Sequence, residues 1–219
     1  MTGIRPLDLR AAAKIVIETV TEMASEGRPL MTRVLPEGRP LWWAHYPDND
    51  ARDARTRSRW YYHVHPPGDR DSTEHGHFHL FLHRTQIEGA EVLVAPAAGE
   101  DAAAHVAHVA GLSIDPNGIP MSWFTTNRWV TDEFLHSANT IIAHLDRYDV
   151  DETAEDKTVN RFVTAMVALY RDEIAALLRE RDIRLAALAA GQPLHTVTET
   201  GNAVLSQCAI DLDAKISAL

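Results

Sequence analysis

The sequence predicts an α+β fold, an antiparallel sheet flanked by helices, with a C-terminal half that is mainly helical. Three observations predict it. Near the N-terminus Leu9, Ala12, Ala13, Val16, Val20 and Met23 recur at helical spacing. Between Trp60 and Thr126 the spacing changes to alternation, the period of a strand. After Thr131 the helical period returns, and helices following a block of strands read as α+β.

Taken in order, residues 7–25 form an amphipathic helix that Gly27 and Pro29 stop. Residues 36–59 carry prolines, a glycine and the charge run DNDARDARTRSR, and read mostly as loop with one short strand at LWWAHY. The run at 52–59 is a solvated loop or a lid. Strands follow at 60–65 and 76–83, joined by PPGDRDSTE. Residues 106–114 and 119–126 form a hairpin turned by DPNG. Thr131 offers an N-cap, with Asp132 and Glu133 in the first turn and Phe134, Ala138, Ile141 and Leu145 as the buried stripe. One long helix spans 158–190, ended by Gly191 and Pro193, and a last helix spans 203–217 with Cys208 inside it. All 219 residues read as a single domain with a histidine-rich strand pair at 60–83.

Composition narrows the function. A formal charge of -10 argues against a nucleic-acid footprint. One cysteine permits no internal disulfide, and no signal-like or membrane-length apolar run is seen, so a cytoplasmic protein with no membrane partner is expected. The excess is in histidine. Seven of the 12 histidines lie between His45 and His83.

Parity explains their placement. In the two central strands the even positions Trp60, Tyr62, Val64, Phe78, Leu80 and Leu82 are apolar and should seek the core. Pairing must keep them on one side, because a slip of one residue would turn a set outward. The odd positions Tyr61, His63, His65, His75, His77, His79, Phe81 and His83 then share the other face. A simple hairpin of that parity places His65 near His77 and His63 near His79. Directly opposed Cβ atoms lie about 4.5–5.5 Å apart, close enough for imidazoles to converge on one metal at about 2.0–2.1 Å per nitrogen.

The expected site is therefore one transition-metal ion, iron, zinc or copper, on His63, His65, His77 and His79, with His108 joining from the next strand. Magnesium and calcium prefer oxygen ligands. Glu74 is the candidate carboxylate, with Asp69 and Asp71 weaker ones, and His75 is the candidate proton carrier. Tyr61 and Phe81 are expected against a small-molecule substrate. Asn127 and Arg128 follow a strand end; Arg128 would hold a carboxylate or phosphate, or else a salt bridge to Asp132 or Glu133. His45 is weighed as a pocket residue. His105 reads as solvated, His136 and His144 as surface, and His195 as uninvolved. The function that follows is a metal-dependent enzyme, oxygenase or hydrolase, with a non-catalytic metal-binding or sensing protein as an alternative.

Two resemblances add to this reading. HGHFHLF, residues 75–81, is similar to the motif of the histidine triad family of nucleotide hydrolases and transferases. That resemblance implies His77 as a nucleophile toward phosphorus, flanked by His75 and His79, without a metal. WYYHVHPP, EHGHFHLF and FTTNRWVT together resemble an uncharacterised, histidine-rich family of bacterial proteins, which implies no function.

Overall fold

The computed structural model describes residues 7–219, and readings that touch residues 1–6 lie outside it. Helix α1 (Leu9–Glu26) starts where the Asp8 carboxylate accepts the Ala11 amide at 2.8 Å. It stops at Gly27, whose φ of 60° supplies the left-handed C-cap. Ala12, Ala13, Val16 and Met23 are buried as the stripe requires, and Leu9 at its end is exposed.

Six strands form one antiparallel sheet in chain order. They are β1 (Tyr46–Arg52), β2 (Arg59–His63), β3 (Gly76–His83), β4 (Val106–Ile114), β5 (Pro120–Thr126) and β6 (Val204–Ala209). The β4–β5 turn is DPNG: Asp115 accepts the Asn117 and Ile119 amides through Oδ1, and Gly118 takes a φ of 84°. Even-numbered residues of β2 and β3 enter the main core, against α1 and three further helices. These are α3 (Ala138–His144), α4 (Lys157–Leu169) and α5 (Arg171–Leu188).

The structure corrects five readings. The strand expected at LWWAHY lies later, at β1. The charge run at 52–59 is the β1–β2 turn: Asp53 is buried and accepts the Arg55 and Thr56 amides, and Thr56 and Asp53 bind the backbone of Asp149 and Glu152. Charged residues there serve a packed turn, so composition alone reads as solvated loop. Thr131 caps nothing. Asn127 caps the short α2 (Arg128–Thr131), Asp132 closes it at a φ of 44°, and Ser137 caps α3, which leaves His136 buried before the helix.

The helix expected at 158–190 is two, broken at Tyr170, where ψ is 24°. No glycine or proline marks the break. It redirects the chain from packing against α1 to packing on β5 and β6. The last expected helix is β6 followed by α6 (Leu212–Ser217). Val204, Cys208, Leu212 and Ile216 recur every four residues and mimic a helical stripe, but Asp211 caps a new helix in the middle of that pattern. Cys208 therefore sits half-buried on a strand, beside Trp123.

Candidate metal centre

The odd face of β2 and β3 gathers the histidines, in a register two residues from the simple hairpin. His63 opposes His77, and Tyr61 opposes His79. Pro66 and Pro67 cannot donate to a ladder, so pairing ends at His63 and His65 leaves the strand. Its ring nevertheless turns back. His63 Nε2 lies 2.5 Å from His77 Nε2 and 3.2 Å from His65 Nε2. His63, His65 and His77 form a group of ligand atoms within 4.8 Å of one another, which could hold a metal ion.

Two of these rings are held from behind by carboxylates. His77 Nδ1 donates to Glu74 Oε1 at 2.8 Å, and His65 Nδ1 pairs with Asp69. A carboxylate on Nδ1 fixes the tautomer and leaves Nε2 as the ligand atom. Glu74 is thus placed behind His77, and Arg70 Nε faces the same carboxylate oxygen at 3.5 Å.

Burial keeps the His63 and His77 rings neutral, as ligands must be. Desolvation, then the neighbouring His77 and His65, lower His63 to about 2. Desolvation lowers His77 to about 4, outweighing the opposing pull of Glu74. Burial would raise the Glu74 carboxyl, but its hydrogen bond to His77 and the charges of His77 and Arg70 bring it down to about 2.

His79 and His108 stand beside this group rather than in it. His79 Nδ1 and His108 Nε2 are 3.0 Å apart, and Thr126 Oγ1 lies 3.3 Å from His108 Nδ1. His79 Nε2 is buried without a partner. A β-bulge brings His108 here. Leu80 opposes Ala110 but Phe81 opposes His108, so Val109 is the extra residue and both it and Ala110 face the core. Without that insertion the parity of β4 would point His108 inward. Its amide is bound by Glu133, whose carboxyl burial raises to about 7 against the pull of Arg181 and that amide.

The other expected site residues divide. Tyr61 and Phe81 share the histidine face, Tyr61 stacked 3.7 Å from the ring of His45. His75 turns away, its Nδ1 2.8 Å from the hydroxyl of Tyr62 on the opposite face. Asn127 spends its amide on α2 and on the carbonyls of Val197 and Thr200. Arg128 is buried in an ion pair with Asp132 at 2.9 Å.

A cavity of about 410 Å³ opens on the three-histidine group, within the range of small-molecule sites. Tyr61, Phe124, Trp43 and Trp129 give it aromatic walls, and Arg70 and His79 also border it. Phe124 lies across the sheet over Gly111, where a Cβ would meet its ring at 2.1 Å, and this brings the ring within 5.0 Å of His77. The sequence reading missed Arg70, Trp43, Phe124 and Trp129. The spacing of Asp69 four residues after His65 and Glu74 three before His77 was the available signal for the carboxylates.

The chain matches the family described as a domain of unknown function (DUF6969) over residues 10–210 and belongs to it. That accords with the resemblance to an uncharacterised family and lends nothing to the histidine triad one. No curated protein and no solved structure matches the chain. Among the described residues no helix is long and apolar enough to cross a membrane.

Proposed function

We propose that this DUF6969 member binds one transition-metal ion on His63, His65 and His77 and is a metal-dependent enzyme acting on a small molecule. The observation that carries the reading is the convergence of three Nε2 atoms in a mostly buried site, two of their rings braced at Nδ1 by Glu74 and Asp69. With His77 Nδ1–H on Glu74, its Nε2 is a lone pair, and a single Nε2–H of neutral His63 can serve only one of His77 and His65. A cation between the three nitrogens would satisfy all of them at once.

Three neutral nitrogen donors and no thiolate suit zinc, iron or copper, and three protein ligands leave room for a further one. Such a metal supplies Lewis acidity or, for iron and copper, redox chemistry. The chain's own residues do the rest. Glu74 and Asp69 orient two ligands. The His79–His108 pair backs the site, and the unpartnered Nε2 of His79 is the group we assign to proton handling in place of His75. Tyr61, Trp43 and Phe124 give the cavity apolar walls.

The test is metal content by mass spectrometry on tag-free protein purified without chelator or air. About one equivalent is expected in the parent, and a loss of it in His63→Ala with the fold retained by circular dichroism. Failure of the parent to take up zinc, iron(II) or copper on titration would overturn the reading. Metal bound stoichiometrically, with no turnover across substrate screens, would leave a sensor or carrier.

A further inference from the structure

The cavity contains one cation that the metal site does not use. Arg70 is tied to the fold by the 3.5 Å approach of its Nε to Glu74 and by its guanidinium lying 4.7 Å over the Phe124 ring. Among the described residues no further hydrogen bond or ion pair occupies it, so its outer N–H groups remain available. The Glu74 carboxylate it approaches is already committed to His77 at 2.8 Å.

Charge fixes the sign of a ligand. Imidazoles that ligate a metal are neutral, and the Glu74 and Asp69 carboxylates bring one negative charge each. A divalent metal and Arg70 together exceed them, so the metal-loaded pocket is net positive and favours an anion. The walls fix its shape. Trp43, Tyr61, Phe124 and Trp129 present flat apolar faces, and Trp43 and Trp129 remain 54% and 42% exposed at the mouth, an apolar surface awaiting cover. Beyond Arg70, a tetrahedral phosphate would find few further donors: among the described residues no glycine lines the cavity, and the Thr126 hydroxyl is paired with His108. A planar guanidinium matches a planar carboxylate through two parallel hydrogen bonds.

We infer that the substrate class is a small aromatic carboxylate, its ring between the aromatic walls and its carboxylate on the Arg70 guanidinium. Arg70 is then the specificity-determining residue. This inference rests on the metal-enzyme reading, since the metal supplies the positive excess.

Zinc-loaded full-length protein is titrated with 2-naphthoate, 2-naphthamide and acetate, followed by calorimetry and by tryptophan fluorescence. One-to-one binding of 2-naphthoate is expected, with the isosteric amide weaker by about tenfold or more, the usual scale for a lost charged hydrogen bond, and acetate weaker by about tenfold or more through loss of the buried ring. Arg70→Gln should remove the preference for carboxylate over amide, and Arg70→Lys should restore part of it. Zinc content is measured in every variant. Zinc retained with equal affinity for acid and amide, with no naphthoate binding, or with the preference intact in Arg70→Gln, overturns the carboxylate assignment and leaves the metal site standing. No zinc in the parent overturns the metal reading itself. If Arg70→Gln loses zinc by disturbing Glu74, the acid-to-amide ratio of the parent and of Arg70→Lys decides.

Discussion

Strand β3 carries two different interiors on its two faces. Phe78, Leu80 and Leu82 point into the main core; His77, His79 and Phe81 point the other way. Both sets are almost wholly buried, so exposure does not separate scaffold from site. The kind of polar group does better. The core side holds single uncharged atoms, Trp60 Nε1 on Asn160 Oδ1 at 3.0 Å and the unpartnered Trp123 Nε1 and Tyr148 and Tyr170 hydroxyls. The other side gathers imidazoles, with the Nε2 atoms of His63 and His77 2.5 Å apart and His79 Nε2 unpartnered. Crowded ring nitrogens of this kind are candidate ligand atoms. The comparison teaches that a sheet covered on both sides can pack one face with apolar side chains and gather titratable groups on the other.

Truncation on each face should break this comparison in different ways. Phe78→Ala removes a fully buried ring that packs on Trp60 and Tyr62, and it should cost about 3–5 kcal/mol of stability. Urea unfolding of metal-free protein measures it. A loss no larger than that of His63→Ala would show that the even face is not the load-carrying one. Gly111→Ala tests the other face. Its Cβ would meet the Phe124 ring, and overpacking of this kind costs about 1–3 kcal/mol. The ring must also shift from His77, so the variant should bind aromatic ligands less well than its stability loss explains. Unchanged ligand affinity would mean that Phe124 does not shape the cavity.

How much of this was legible in the sequence follows from the period of each element. Alternation at 60–63 and 76–83 placed Tyr61, His63, His77 and His79 on one face correctly, because parity survives an error of two residues in register. The register itself was not legible. It depends on where pairing ends, and that was set by Pro66 and Pro67 rather than by the histidines. His108 belongs to the histidine face only through the bulge at Val109, and a bulge leaves no mark in an apolar run such as VAHVAGLSI. Arg70 and Trp43 come from connecting segments with no period at all. The helical stripes were mostly readable, yet the break at Tyr170 and the strand at 204–209 were not. In both, tertiary packing overrode a continuous four-residue spacing.

The last test in the series is the acid sensitivity of the metal-free protein, to which the buried imidazoles of the histidine face contribute most. An imidazole held below its ordinary 6.5 stays neutral in the fold, while the same residue in the unfolded chain takes a proton. Between the folded value and 6.5 the unfolded state binds more protons, so stability falls as pH falls. Desolvation places His63 at about 2, His77 at about 4 and His108 at about 3. All three therefore act across pH 6.5 to 4, each with a slope of about 1.4 kcal/mol per pH unit. Glu133 works in the opposite sense. Raised to about 7, it keeps a proton that the unfolded chain has lost above 4.5, and so it offsets one imidazole in the range 4.5 to 7. Glu74, held at about 2, begins to lose its contribution only below 4.5. Thermal melts of chelator-treated protein should thus drop steadily from pH 6.5 to 5, and His63→Gln should flatten the decline by one group's share. The core variant Phe78→Ala should melt lower at every pH with the slope unchanged. A parent protein whose melting temperature is level over that range would show that these imidazoles are solvated after all, and with that the distinction between the two faces of β3 would fail.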